Sequence, residues 1–326
     1  MTTRRFAGGN VFVGRPFQAE ADSLERPSYY PLCAVGLLLA VLLTGCSPRA
    51  SDSTDGRPVV FVGLPPLAYL AERIGGEYVD VQVLLPPGQD PHTAGFTSKQ
   101  IAALSRAQLF VKSGMPFEDQ IVGKLAAGSR GPLVVDVTQG IQKRPIDAPC
   151  IADEHDHDAE CDHGGTAPDP HVWLSPLLLK TQAENITAAL ERVDPAHVED
   201  YRRNLAALLA DLDAIHARTA AALKPYRGQR FYVFHPAFGY FADAYGLRQE
   251  AVEAGGKSPG QKQLTALIEK AREDGVKIIF VQPQFDQRTA ETVAKEIGGR
   301  VLSIDPLAKD VLANFADIAD KIAQGL

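Results

Sequence analysis

The chain has 326 residues, enough for two domains or one large one, and its 45% apolar and 22% charged residues are usual for a globular protein. The formal net charge is −7 and no basic cluster is present, so a nucleic-acid-binding protein is not expected. An acidic surface is compatible with a cationic ligand.

The N-terminal segment has the pattern of an export signal. Residues 32–45, LCAVGLLLAVLLTG, are too short for a comfortable membrane span and typical of a signal-peptide core. With Cys46 directly after it, the end of this run resembles the lipobox of bacterial lipoproteins. We therefore predict a lipoprotein signal peptide over 1–45, a lipid on Cys46 and a flexible tether over 46–57. An uncleaved anchor and a secretory signal cut nearby are the alternatives.

Export places the folded part outside the cytoplasmic membrane, where disulfide bonds persist. Of the four cysteines, Cys33 leaves with the signal and Cys46 carries the lipid. The remaining pair, Cys150 and Cys161, is predicted to form a disulfide that closes a short loop. Two free thiolates are the alternative.

From residue 58 onward, strand and helix patterns alternate. Short apolar runs predict strands over 58–63, 79–85, 109–114, 132–137, 230–235, 247–252, 277–282 and 300–305. Amphipathic spacing predicts helices over 66–76, 97–107, 117–128, 175–193, 194–225, 261–275, 287–299 and 309–325. Nearly continuous apolar strands between amphipathic helices favour an α/β fold with buried parallel sheets.

The longest periodic segment, residues 194–225, separates two groups of four strands. A helix of about 30 residues is about 45 Å long, which exceeds one small domain. We therefore predict two α/β lobes, over 58–193 and 226–326, joined by one rigid linker helix over 194–225. The pattern is interrupted only by a long polar loop over 138–170, and compact domains rarely carry such a loop without a use.

Four side chains that can bind a metal follow the ends of predicted strands: His92, His171, His235 and Asp305. In open α/β sheets this edge is where ligands bind, so a cleft between the lobes is expected to collect all four. Three imidazoles and one carboxylate make a tetrahedral set suited to Zn²⁺. Loop histidines bonded to the backbone are the alternative, and spacing alone does not decide between them.

The triplet Asp-Pro-His occurs twice, at 90–92 and at 169–171. Each proline stiffens the backbone ahead of its imidazole. Asp90 and Asp169 are expected either to accept the second ring N–H of the histidine or to cap the local turn.

Several segments together resemble the metal-specific solute-binding lipoproteins of ABC importers, the cluster A-I or ZnuA-like family. They are LLPPGQDPHTAGFTSKQIAALSRAQLFVKSG, DPHVWLSP, VFHPAFGYFADAYGL, KSPGQKQLTALIEKARE and VLSIDPLAKDVLANF, in family order over residues 58–326. The resemblance implies two lobes, each a four-stranded parallel sheet flanked by helices, with the ion between them. It implies His92, His171 and His235 as ligands, with Asp305 or a water as the fourth.

The resemblance also implies a function. The protein would be a lipid-anchored, extracytoplasmic (periplasmic) monomer without enzyme activity that captures Zn²⁺. It would deliver the ion to an ABC permease and its ATPase. Manganese members commonly place Glu where this chain has His235, so His235 favours zinc. A manganese or iron importer and a metal-linked adhesin are the alternatives. A zinc hydrolase is less favoured, because no HExxH motif or evident general base is found.

The His- and acid-rich loop over 150–168 carries three further histidines, His155, His157 and His163. Zinc-importing relatives often have such a loop at this place. The resemblance thus implies a weak secondary site that attracts metal, and an acidic loop that binds metal incidentally is the alternative. Trp173 and Phe238 follow ligand positions and are expected to wall the main site.

Overall fold

Two parallel four-stranded sheets organise the protein. A computed structural model describes residues 56–126, 131–147, 164–253 and 260–326. The strands are β1 (Val59–Val62), β2 (Asp80–Val83), β3 (Leu109–Lys112), β4 (Leu133–Asp136), β5 (Pro145–Asp147), β6 (Gly164–Pro168), β7 (Arg230–Val233), β8 (Arg248–Ala251), β9 (Ile278–Val281) and β10 (Arg300–Ser303). The N-terminal sheet has the order β2-β1-β3-β4 and the C-terminal sheet the order β10-β9-β7-β8. The predicted α/β fold with two parallel sheets is confirmed.

Strand composition follows position in the sheet. The inner strands β1 (VVFV) and β9 (IIFV) are entirely buried, because helices cover both faces of a parallel sheet. The edge strands β2 (DVQV) and β10 (RVLS) carry polar residues and are partly exposed. The apolar letters that predicted the strands therefore report burial on two faces.

Helices flank both sheets. They are α1 (Pro65–Gly75), α2 (Ser98–Arg106), α3 (Pro116–Ala126), α4 (Pro176–Val193), α5 (Val198–Leu223), α6 (Gly239–Tyr245), α7 (Gln261–Glu273), α8 (Arg288–Glu296) and α9 (Val311–Gly325). The sequence did not predict α6, because seven residues that are mostly buried show no amphipathic period. Among the helices of the described ranges, none is both long and apolar enough to cross a membrane.

The predicted linker helix corresponds to α5, flanked by single 3₁₀ turns at Pro195–His197 and Lys224–Tyr226. Its 26 residues give a length of about 39 Å. Helix α5 contacts α1 and α4 of the N-terminal lobe and α6 and α9 of the C-terminal lobe. The helix thus braces both lobes.

A buried carboxylate closes the loop between β3 and α3. Glu118 has no exposed surface and accepts hydrogen bonds from the backbone N–H groups of Ser113, Gly114 and Met115 at 2.8–3.0 Å. A Cβ at Gly63 would lie 1.8 Å from Glu118 Oε1, so glycine is required there. Burial raises the pKa of Glu118 to about 7, against the effect of these donors.

The prediction of a long polar loop over 138–170 is wrong in part. Strands β5 and β6 form an antiparallel hairpin, with Pro145 opposite Pro168. Pro, Gly and Asp dominate these strands, so they lack the β-branched run that marks a strand in sequence. Residues 148–163 lie outside the described residues. So do Cys150, Cys161, His155, His157 and His163, as does the signal segment with Cys33 and Cys46.

Candidate metal centre

Three imidazoles meet between the two sheets. His92 follows β2, His171 follows β6, and His235 lies two residues beyond β7. The Nε2 atom of His235 lies 3.1 Å from Nε2 of His92 and 3.2 Å from Nε2 of His171. One ligand atom from each ring lies within 4.8 Å of the other two. Because Zn–N bonds are about 2.1 Å, the ligand atoms around a tetrahedral zinc ion are about 3.4 Å apart, close to the spacing found here.

His171 is buried and held on both sides. Its ring Nδ1 lies 2.7 Å from Asp169 Oδ1, and its backbone N–H donates to the same oxygen at 2.9 Å. Asp169 has no exposed surface. The indole of Trp173 meets the imidazole edge-on at 5.3 Å and donates from Nε1 to the carbonyl of Pro306 at 2.7 Å. The expected role of Trp173 as a wall of the site agrees with this contact.

His235 is fixed by residues of the C-terminal lobe. Its Nδ1 lies 2.5 Å from Oε1 of Glu253, a carboxylate that is 2% exposed. The side-chain amide of Gln282 accepts from the His235 N–H at 3.1 Å and donates to its carbonyl at 2.8 Å. Phe285 stacks on the imidazole with a centroid distance of 4.8 Å and an interplanar angle of 19°. A carboxylate on Nδ1 orients Nε2 toward a metal.

His92 lies at the exposed rim of the group. Asp90 Oδ1 accepts from the His92 backbone N–H at 2.9 Å, and Asp90 Oδ2 accepts from the hydroxyl of Thr93 at 3.0 Å. The ring of His92 contacts His235 and His171, with centroid distances of 4.7 and 5.5 Å. Asp90 therefore caps the turn, whereas Asp169 both caps the turn and binds the ring.

Two imidazoles of the group, those of His92 and His235, resist protonation, which suits them to bind a cation. Burial lowers the pKa of His92, and the neighbouring His235 lowers it further. Burial also lowers the pKa of His235, and His171 acts in the same direction, while the Glu253 carboxylate opposes them without cancelling the shift. Neutral imidazoles present the lone pairs that a metal requires.

In the described part of the chain, Asp305 forms no hydrogen bond with the three imidazoles. Its Oδ1 accepts from the Gln284 amide at 2.7 Å and from the Leu307 backbone N–H at 2.9 Å. Within the described ranges, Oδ2 accepts no hydrogen bond, and Asp305 is not among the residues whose ligand atoms cluster within 4.8 Å. Its role as the fourth ligand stays a prediction.

The sequence did not reveal three residues around the imidazoles. Glu253 follows β8 at the same edge of the sheet as His235, so the rule that selected strand ends could have found it. Phe285 and Arg144 carry no such signal, because only the tertiary fold brings them to His235 and to Asp169. Phe238, the second residue expected to wall the site, is fully buried, and its backbone N–H donates to the Gln249 side chain.

Comparisons with known proteins agree with this geometry. The family model described as ZnuA, zinc-uptake complex component A, periplasmic, matches residues 60–325. The high-affinity zinc uptake system protein ZnuA of Bacillus subtilis (strain 168) is 31% identical over 289 residues, which cover 85% of this chain and 87% of that protein.

Solved structures give the same result. A crystal structure of ZnuA is similar with a TM-score of 0.74 at 36% identity, covering 82% of this chain and 99% of that one. A ZnuA deletion mutant with zinc bound is similar with a TM-score of 0.72, also at 36% identity, covering 82% of this chain and 98% of that one. The resemblance found in the sequence is confirmed, and the protein belongs to the ZnuA family of periplasmic zinc-uptake components.

Proposed function

We propose that the protein captures Zn²⁺ outside the cytoplasmic membrane and delivers it to the transmembrane subunit of an ABC importer, which an ATPase drives. The observation that carries this proposal is the meeting of three imidazole Nε2 atoms at 3.1 and 3.2 Å. Two of the three rings are buried and each has a carboxylate on Nδ1. Such a group binds a divalent ion without needing to assemble first.

The proposed ligands are His92, His171, His235 and Asp305. The support for Asp305 is its free Oδ2 within the described ranges, together with the fixing of Oδ1 by Gln284 and Leu307. A water in the fourth position is the alternative. X-ray absorption of the zinc complex of Asp305→Ala tests it, because removing a protein ligand changes the first coordination shell, whereas a site that already holds water keeps its spectrum.

Zinc is favoured over manganese because imidazole nitrogens suit zinc, while manganese prefers carboxylates and water. Four protein ligands would close the coordination shell, and a closed shell serves binding, whereas catalysis needs an open position. Membership of a transport family likewise favours transport over hydrolysis.

A zinc titration of the metal-free chain from Ser51, against a competing chelator and with manganese in parallel, tests the function. We expect one tight zinc site that is lost in His171→Ala and kept after deletion of residues 153–163. Several weak sites that disappear with the deletion would refute the proposed centre.

For the loop that contains His155, His157 and His163, we propose a secondary role in attracting zinc, supported by its histidines and acids. The deletion of 153–163 should then slow zinc capture at low zinc concentration while leaving the affinity of the main site unchanged. Equal capture rates would reduce the loop to incidental binding.

Two covalent features complete the proposal. Cys46 carries a lipid and Cys150 pairs with Cys161, both supported by the sequence pattern and the exported compartment. Mass spectrometry of the N-terminal peptide checks the lipid, and alkylation with and without reductant counts the thiols. The protein is expected to act as a monomer, and light scattering checks this expectation.

A further inference from the structure

Arg144 lies directly beside the metal centre but outside the group of imidazoles. It immediately precedes β5, and its carbonyl accepts from the backbone N–H of Asp169 at 2.8 Å. Its guanidinium forms a two-pronged ion pair with Asp147, at 2.8 and 3.0 Å. The Nη1 atom also lies 3.5 Å from Asp169 Oδ2. The carboxylate that orients His171 is thus held by Arg144 through both backbone and side chain.

The two oxygens of Asp169 have separate tasks. Oδ1 binds the backbone and the ring of His171, while Oδ2 faces Arg144. Asp169 has no exposed surface in the folded protein, so the guanidinium and not water meets Oδ2. Without the guanidinium, the buried carboxylate would lose the positive charge beside Oδ2.

Arg144 also contacts α6, the helix that begins four residues after His235. Its Nε lies 2.9 Å from Asp243 Oδ2. The hydroxyl of Tyr240 accepts from the Arg144 backbone N–H at 3.1 Å and donates to the Asp169 carbonyl at 2.9 Å. A single residue therefore joins the support of His171 to the C-terminal lobe, which carries His235.

Gly239, the first residue of α6, leaves the space that the guanidinium occupies. A Cβ at this position would lie 1.7 Å from Arg144 Nη1 and 3.0 Å from Asp169 Oδ2. Any larger residue would push the flexible end of Arg144 away, because the backbone of the helix is the stiffer neighbour.

We propose that Arg144 is a positioning residue that slows zinc release. It holds the Asp169 carboxylate in place, and through that carboxylate it keeps the His171 ring next to His235 of the C-terminal lobe. The proposal rests on the proposed role of His171 as a ligand. Arg144 contributes no ligand atom to the group of three imidazoles and is proposed to act through the Asp169 carboxylate and α6.

The test measures the rate of zinc release from the full chain into excess chelator. Arg144→Gln should release zinc up to about tenfold faster, because loss of a direct partner of a metal ligand costs about 10- to 100-fold and Arg144 acts one contact further out, through Asp169. Arg144→Lys keeps the charge without the planar fork, so its rate of zinc release should lie between those of the wild type and Arg144→Gln. Gly239→Ala displaces the guanidinium without changing any charge and should also speed release. Arg202→Gln, at an exposed arginine, and Gly123→Ala, with open space around its Cβ, are the matched controls.

A double-mutant cycle separates positioning from a general structural effect. If Arg144 acts through Asp169, Arg144→Gln in an Asp169→Asn background should add less than about twofold. The absorption spectrum of the Co²⁺-loaded protein, which reports the geometry of the ligands, should change in Arg144→Gln and Gly239→Ala but not in the controls.

The outcomes are distinct. Release at the wild-type rate, or equal factors in both backgrounds of the cycle, overturns the positioning role. If Arg144→Gln does not fold, Gly239→Ala and Arg144→Lys carry the same test. His171→Ala run alongside tells the two proposals apart: unchanged zinc binding there refutes the ligand set, whereas lost binding together with unaffected Arg144 variants refutes this inference alone.

Discussion

The two Asp-Pro-His triplets have the same sequence and the same local turn but different surroundings. In each, the aspartate Oδ1 accepts from the histidine backbone N–H at 2.9 Å. Only in the second does that oxygen also bind the ring, because Asp169 is fully buried beside Arg144, whereas Asp90 is half-buried and binds Thr93. Local sequence sets the turn, and tertiary burial sets the partner of the imidazole. The centre thus combines two supported rings, His171 and His235, which each have a carboxylate on Nδ1, with one rim ring, His92.

The largest expected effect is a difference in zinc affinity between loss of a supported ring and loss of the rim ring. His171→Ala should weaken zinc binding about 100-fold or more, since it removes a buried ligand and leaves the buried Asp169 carboxylate without its ring partner. His92→Ala should cost only about tenfold, because water can reach the vacated position at the rim. Competition with a chelator measures both constants. Equal losses of zinc affinity in the two variants would remove the distinction between the supported rings and the rim ring.

The next effect concerns the triplets themselves. Asp169→Asn should weaken zinc binding about tenfold, because it replaces the carboxylate on the His171 ring. Asp90→Asn should change the affinity less than about twofold, because an amide oxygen still caps the turn. Isothermal titration of both variants checks the difference, and a larger loss in Asp90→Asn would mean that burial does not decide the role of the aspartate.

A third change tests whether the carboxylate on the other supported ring matters equally. Glu253→Gln keeps the shape and an oxygen near His235 Nδ1 but removes the charge. We expect zinc to be bound up to about tenfold more weakly. The Co²⁺ spectrum should show an altered field at the metal. An unchanged affinity and spectrum would restrict carboxylate support to His171.

The smallest expected effect on zinc comes from a buried acid outside the centre. Glu118 has a pKa of about 7 in the folded protein, above its ordinary value of 4.5, so folding favours its protonated form. The stabilisation that Glu118 adds to the unfolding free energy is therefore fully present below pH 4.5 and is lost as the pH rises through about 7. Glu118→Gln stays neutral, so the unfolding free energy of the wild type should fall relative to it by about 3 kcal/mol across this range.

Urea unfolding of the metal-free proteins at several pH values measures that difference. Zinc release at fixed pH should change less than about twofold in Glu118→Gln. Parallel stability curves for the two proteins would show that Glu118 does not titrate in this range. Altered zinc release would show that the scaffold and the centre are not independent.

The sequence predicted the two sheets because strands buried on both faces must be apolar along their whole length, as β1 and β9 are. It missed α6, which is too short to show a period, and the β5–β6 hairpin, whose Pro and Gly residues imitate a loop. The strand-end rule placed His92 and His235 at the centre. Arg144 and Phe285 could not be predicted, because their partners are distant in sequence and only the packed lobes define them.

The position of Trp173 has a practical consequence. It is the only tryptophan in the chain, and its indole spans from the His171 imidazole to the Pro306 carbonyl of the opposite lobe. Indole fluorescence therefore has a single source, the buried Trp173 beside the proposed ligand His171. Because the indole contacts the His171 ring, we expect its emission to change when zinc binds and when it is released, so both steps can be followed without an attached dye.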